Sequence, residues 1–237
     1  VTTFSSELTV ELIDSMGNDA SIVAAMMVST KGAMSQTFLG QDSTELQGKI
    51  DFLMKNRHGS PFEHGAMTFF VEAPIAVFRE WHRHRIGVGY NEISGRYVKL
   101  EPRFYIPPPE RPLIQTGKPG HYEFVLGTRE QYDSAVSEIK AQCESAYETY
   151  EKLLGNQVAK EVARGVLPVY TYSSMYVTMN PRSLMAFLSL RTKDKNSMFP
   201  SFPMWEIEQC GQRLEEEFSK LYPATSASFR HHGSVCP

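Results

Sequence analysis

The sequence predicts an α/β or α+β fold, a central, largely antiparallel or mixed sheet flanked by helices, in one domain over residues 1–237. Three observations carry this. Segments with strand periodicity interleave with segments of helical periodicity along the whole chain. Neither a GxGxxG turn nor a P-loop marks a nucleotide-binding crossover. The 237 residues, 41% of them hydrophobic, suffice for one large core.

Taken in order, Leu8, Val10 and Leu12 alternate like a strand with one buried face, and the polar run Asp14–Asp19 turns the chain into a helix over Ala20–Val28. Asp42 and Glu45 have capping-box spacing for a helix to about Met54, ended by Arg57-His58-Gly59, after which Pro61 blocks continuation. Ala66–Glu72 reads as a strand. Pro74 then opens a helix bearing Phe78 and Trp81, with Gly87 and Gly89 as its stop. Six of the fourteen prolines fall within Pro102–Pro119, which predicts an irregular surface loop. From Asp133 to Leu154, Val136, Ile139, Cys143, Tyr147 and Tyr150 form the stripe of a long amphipathic helix stopped at Gly155-Asn156. A short helix ends before Pro168, and Tyr170–Met179, β-branched and aromatic, predicts a strand. Asn180 as N-cap and Pro181 at N1 start a helix to Arg191. The loop Thr192–Pro203 leads to a last amphipathic helix, Met204–Tyr222, closed by Pro223.

A net charge of −3 supplies no global basic field to recruit nucleic acid, so any anion site must be local. Cys143, Cys210 and Cys236 are odd in number and lack CxxC spacing, against both a disulfide framework and a zinc site. No apolar run approaches the roughly 18 residues of a membrane span, and a signal-peptide pattern is missing at the N-terminus, so a cytoplasmic protein is expected.

Residues 79–103 hold six of the cations, Arg79, Arg83, Arg85, Arg96, Lys99 and Arg103, against Glu80, Glu92 and Glu101. Guanidinium forks at this density suit a phosphate or another planar anion. On the count alone, cations that merely complement the last turn of a helix explain it equally well. Asn91, Glu92, Ser94 and Arg96 add donors and acceptors that suit a heterocycle beside the phosphate. Similarly, His58 before Gly59 is readable as a helix end, and Asn180-Pro181 as a helix start whose free N–H groups also accept an anion. His64, His82 and His84 lack the Asp or Cys that would complete a metal site, and none is expected. The aromatic residues Tyr147, Tyr150, Trp205 and Phe218 read as core or subunit contacts.

The run Arg83-His84-Arg85 through Asn91-Glu92-Ile93-Ser94-Gly95-Arg96 closely resembles the signature of flavin-dependent thymidylate synthases: an Arg-His-Arg triplet, a short spacer, then Ser-x-Arg. The resemblance extends to His58-Gly-Ser60-Pro-Phe-Glu63-His64, to Arg164 before Val-Leu-Pro, and to Asn180-Pro-Arg182 through Arg191. It implies an enzyme that converts dUMP to dTMP with FAD, methylenetetrahydrofolate as carbon donor and NADPH as reductant. It also implies a homotetramer with active sites shared between subunits. Ser29, His58, Ser60, Glu63, Arg83, His84, Arg85, Ile86, Asn91, Glu92, Asn180 and Arg182 match positions that hold FAD. Glu80, Arg83, Glu92, Ser94, Gly95, Arg96, Arg164 and Arg191 match positions around dUMP, with Arg96 and Arg164 on the phosphate and Arg191 stabilising the ionised uracil. The chain departs from the pattern in a spacer one residue longer, with Val88-Gly89 in place of a serine. Glu80 and Ala186 stand where glutamine and asparagine are usual, and the loop before Trp205 is long. The other class of thymidylate synthase needs a cysteine nucleophile, which none of the three cysteines suits. A basic nucleic-acid module and a nucleotide-binding member without turnover are the remaining alternatives, separable by flavin colour and by dTMP formation.

Overall fold

A computed structural model of the chain describes residues 1–118 and 121–237. Pro119, the last proline of the expected loop, lies outside the described residues. In chain order the elements are β1 (Thr3–Ser5), β2 (Thr9–Met16), α1 (Asp19–Lys31), a 3₁₀ turn (Gly32–Phe38), α2 (Ser43–Lys55), a second 3₁₀ turn (Ser60–Glu63), β3 (Ala66–Pro74), α3 (Ile75–Trp81), β4 (Val88–Glu92), β5 (Arg103–Tyr105), β6 (Ile114–Lys118), β7 (His121–Val125), α4 (Arg129–Gly155), α5 (Lys160–Ala163), a third 3₁₀ turn (Arg164–Val166), β8 (Tyr172–Met179), α6 (Pro181–Arg191), α7 (Trp205–Leu221) and α8 (Pro223–His231).

The class is mixed α/β, but the described strands form three sheets where one was expected. A four-stranded sheet has the order β2-β3-β8-β4, β1 pairs with β5 in parallel, and β6 pairs with β7 antiparallel. Within the four-stranded sheet β3 and β8 run antiparallel, since the Thr68 and Thr178 hydroxyls meet at 2.9 Å and the rings of Phe70 and Tyr176 at 5.6 Å. The chain gathers into two compact units, each described separately: Val1–Leu8, Glu72–Glu80 and Glu92–Ser174 form the first, and Thr9–Val71, Trp81–Asn91 and Met175–Pro237 the second.

In the first unit α4 organises the core. Thr128 caps it in a reciprocal box with Gln131, and the expected stripe buries Cys143, Tyr147 and Tyr150 against Phe104 and Ala163. Both tyrosines keep a polar handle. Tyr150 Oη accepts the Leu100 N–H at 3.2 Å and Tyr147 Oη donates to the Leu100 carbonyl at 3.2 Å, so α4 grips the chain just beyond Arg96. The expected proline loop contains β5, which pairs with the distant β1, and β6, which pairs with β7.

In the second unit Met67, Phe69 and Val71 of β3 and Met175, Val177 and Met179 of β8 point inward with period two. α6 buries Leu184, Phe187 and Leu188, and α7 buries Ile207, Cys210, Leu214 and Phe218 on one helical face. Asn180 caps α6 through the Ser183 N–H at 2.8 Å with Pro181 behind it, and Asp42 caps α2 through the Thr44 N–H at 2.8 Å. Pro223 does follow the last expected helix, yet it opens another. The N-terminal N–H groups of α8 at Ala224 and Thr225 are taken by the buried Asp19 carboxylate at 2.8 and 3.0 Å.

One difference bears on the site. α3 stops at Trp81, not at Gly87-Gly89, so Arg83-His84-Arg85 lies in a loop. Arg83 and Arg85 therefore do not complement the last turn of that helix, where only Arg79 of the segment's cations sits, and Gly89 belongs to a strand, β4.

Candidate active site

Two stations hold the residues that the sequence singles out. In the second unit, the loop from Arg83 to Gly87 is fastened at several points. Tyr90 on β4 donates its hydroxyl to the carbonyls of Trp81 at 3.0 Å and His84 at 2.7 Å, and burial pushes that phenol up to about 12. Ser183, in the first turn of α6, donates to the Ile86 carbonyl at 2.8 Å. Gly87 has φ +67°, and a Cβ there would collide with the Ser183 hydroxyl and approach Asn180 Nδ2 to 3.0 Å. Only glycine lets the loop lie this close to the helix start. The result is an open cleft of about 440 Å³ lined by Arg83, His84, Arg85, Ile86, Val88, Ser183 and Ala186. Its rim is cationic, and Ile86, Val88 and Ala186 make an apolar wall.

Behind the rim, Arg191 Nε donates to His84 Nε2 at 3.0 Å, and the His84 ring leans on Phe187 at 4.7 Å between centroids. Burial, and then the charge of Arg191, push the His84 imidazole down to about 4, so it is neutral at ordinary pH. Nearby in this unit, Arg182 donates from Nη1 to Glu63 at 2.6 Å and from Nε to the Pro237 carbonyl at 2.9 Å. Gly59 admits that guanidinium, since a Cβ there would meet its carbon at 2.5 Å. The Ser60–Glu63 turn packs on both α1, which carries Ser29, and α6, which carries Arg182. His58 stacks on Phe52 at 5.8 Å, Ser29 donates to the Met26 carbonyl, and Asn91 is exposed on β4.

In the first unit, Ile75, Glu92, Ile93, Gly95, Leu100, Glu161, Arg164, Gly165, Leu167, Tyr172 and Ser173 line a cavity of about 320 Å³. The Ser173 hydroxyl donates to Glu92 at 2.5 Å and fixes that carboxylate. Ser94 starts a tight turn: its carbonyl accepts the N–H groups of Tyr97 and Val98, and its hydroxyl the N–H of Arg96 at 3.3 Å. Gly95 is buried, with a Cβ position 3.2 Å from Arg164 Cδ, so the turn lies directly on that arginine. Arg96 pairs with Glu161 at 2.9 Å, both side chains about half exposed. Glu80 lies in the last turn of α3, one residue before Trp81, and is half-buried.

Sequence reasoning missed the groups that hold these residues in place. Glu161, Ser173, Tyr90 and Ser183 were not singled out, and Gly59 and Gly87 were read only as helix punctuation. For the glycines a signal exists, since each adjoins a residue already marked as functional. For Glu161 and Ser173, 65 and 81 positions from their partners, no local pattern exists. None of the cysteines is activated: burial pushes Cys143 up to about 11 and Cys210 up to about 12, and raises Cys236 as well. Among the described residues no three His, Cys, Asp or Glu side chains gather as a metal set, and no helix is long and apolar enough to cross a membrane.

Residues 11–224 match the model of the thymidylate synthase complementing protein family. A flavin-dependent thymidylate synthase of Streptomyces coelicolor is 51% identical over 98% of this chain and 94% of its own length. One from Tropheryma whipplei is 50% identical over 99% of this chain and 97% of its own. Among solved structures, the UMP/dUMP methylase PolB from Streptomyces cacaoi bound with 5-Br dUMP superimposes with a TM-score of 0.93 at 43% identity, covering 99% of this chain and 100% of that one. The same methylase bound with 5-Br UMP gives 0.90 at 42% identity.

Proposed function

The chain belongs to the flavin-dependent thymidylate synthases, a family of methyltransferases, and from that premise we propose that it converts dUMP to dTMP with FAD as cofactor, methylenetetrahydrofolate as carbon donor and NADPH as reductant. The observation that carries the reading is the cleft over the start of α6, where a cationic rim, an apolar wall and a glycine-permitted close approach coincide. Those features fit a flavin dinucleotide: Arg83 and Arg85 answer a diphosphate, while Ile86, Val88 and Ala186 answer a planar ring, and Arg182, paired with Glu63 in the first turn of α6, would add to the diphosphate's partners. Bound there, the flavin supplies the hydride and one-carbon chemistry that no side chain can.

The chain's own residues bind, orient and stabilise charge. In the first unit, Arg164 and Arg96 would take the dUMP phosphate, Glu92 would present a fixed acceptor to the nucleotide, and Gly95 lets the turn that carries Arg96 lie on Arg164. Glu161 occupies Arg96 meanwhile and must yield it. Such half-exposed pairs are worth only about 0–1 kcal/mol, so a phosphate with a second guanidinium displaces it readily. Arg191 would stabilise the negative charge that develops on the uracil ring, which makes C5 nucleophilic without an enzyme thiolate. The proposal includes a single functional domain over residues 1–237, a cytoplasmic homotetramer, and active sites drawn from more than one subunit.

A second reading has a specific observation behind it. The solved methylase with 42–43% identity is described as acting on both UMP and dUMP, so methylation of UMP is a competing or additional activity. One assay separates the readings. The purified protein should show flavin absorption and, with methylenetetrahydrofolate and NADPH, turn dUMP into dTMP faster than it methylates UMP. Preference for UMP would favour the second reading, and a colourless protein inactive on both after FAD is added would remove the first.

A further inference from the structure

We infer that the His84 imidazole is a positioning residue for Arg191, fixing the plane of its guanidinium by accepting the Nε–H. This rests on the role given to Arg191 above. The resemblance counts His84 among flavin positions, but in the structure its side chain is turned to Arg191.

Guanidinium is planar, and Nε is its inner nitrogen. A bond at Nε therefore fixes the plane of the fork near its root, whatever the outer nitrogens meet. At 3.0 Å the contact is a hydrogen bond from a cation to a neutral lone pair. The acceptor is itself held. Its ring rests on Phe187, fully buried and one turn before Arg191 on α6, so the helix that carries the arginine also carries the floor beneath its partner. The main chain of His84 is tied at both ends, the N–H to the Trp81 carbonyl at 3.0 Å and the carbonyl to the Tyr90 hydroxyl at 2.7 Å. Two residues on, Ser183 ties Ile86 to α6.

Chemistry requires one protonation state here. A histidinium has no lone pair at Nε2 and would set a second positive charge against Arg191. Burial keeps the ring neutral. A fixed cation stabilises developing charge without reorganising at the moment of reaction, whereas a mobile one loses much of that advantage. Arg191 therefore owes part of its effect to a neighbour that need not touch the substrate.

Three variants test this: His84→Phe keeps a ring on Phe187 but no acceptor, His84→Gln places an amide oxygen near Nε2, and Arg191→Ala removes the cation. With FAD saturating, His84→Phe should lower kcat roughly 10–100-fold while KM for dUMP moves little, and His84→Gln should recover much of the loss. In the double variant His84→Phe with Arg191→Ala, kcat should fall no further than in Arg191→Ala alone, because the histidine works through the arginine. Wild-type kcat in His84→Phe, a His84→Gln as impaired as His84→Phe, or additive losses in the double variant would overturn the inference. If Arg191→Ala itself keeps wild-type kcat, the role of Arg191 fails and this inference with it; loss in Arg191→Ala beside wild-type kcat in His84→Phe sinks the inference alone. Should His84→Phe not fold, the wild type decides by NMR. The Arg191 Nε–H, assigned by its disappearance in Arg191→Lys, should exchange slowly with water, and rapid exchange would overturn the inference.

Discussion

Arg191 and Arg96 are both arginines at marked positions, and their surroundings give them different work. Arg96 stands half exposed beside a carboxylate that a phosphate can replace. Arg191 is held through its inner nitrogen by a histidine that burial keeps neutral. That neutrality makes the protein acid-sensitive. His84 binds its proton at about 4 when folded against an ordinary 6.5, so between those values the unfolded chain binds more protons than the folded one. The stability this contributes is fully present above pH 6.5 and is lost as pH falls toward 4. A thermal midpoint measured from pH 7 down to 5 should therefore decline, with a shallower decline in His84→Gln. Equal slopes for the two proteins would show that His84 is not the group responsible.

The helix α6 and the loop seated on its first turn form the element on which the cofactor reading depends. Gly87 is its most constrained position, with φ +67° and no room for a Cβ against Ser183. Gly87→Ala should lower stability by about 1–3 kcal/mol, the usual cost of a side chain forced into such backbone. It should also weaken flavin retention, because the loop must lift from α6. Calorimetry and the flavin absorbance of the purified variant check both. α6 itself was legible from Asn180 to Arg191, because an N-cap, a proline at N1 and a closely spaced apolar face act locally. The loop was not. Its glycines read as a helix stop, whereas the helix ends at Trp81 and the chain then joins β4, where only Val88 and Tyr90 alternate before the polar Asn91 and Glu92, too short a pattern to announce a strand without the partner the sheet supplies. α8 was missed for a similar reason. Pro223 both terminates and initiates, and what decides is the Asp19 carboxylate, 205 residues away from Ala224. The long motif pointed to Glu92 and Arg96, but the contacts that orient them, Ser173 to Glu92 and Glu161 to Arg96, join segments too distant for any sequence pattern.

At the scale of the molecule, a mildly acidic chain concentrates its cations where an anionic nucleotide and cofactor would bind, and it holds all three thiols in their protonated form. The central claim is that the flavin, with charge stabilisation from Arg191, does the chemistry and that no protein thiolate takes part. The direct measurement is an anaerobic single turnover in the triple variant Cys143→Ser, Cys210→Ser, Cys236→Ser. Its bound FAD is reduced with NADPH, dUMP and methylenetetrahydrofolate are added, and the flavin spectrum and dTMP are followed together. The account predicts that dTMP appears in amounts matching the flavin reoxidised and at close to the wild-type rate. A flavin-loaded triple variant that makes no dTMP while the wild type does, or a wild type that makes dTMP with its flavin still reduced, would contradict it.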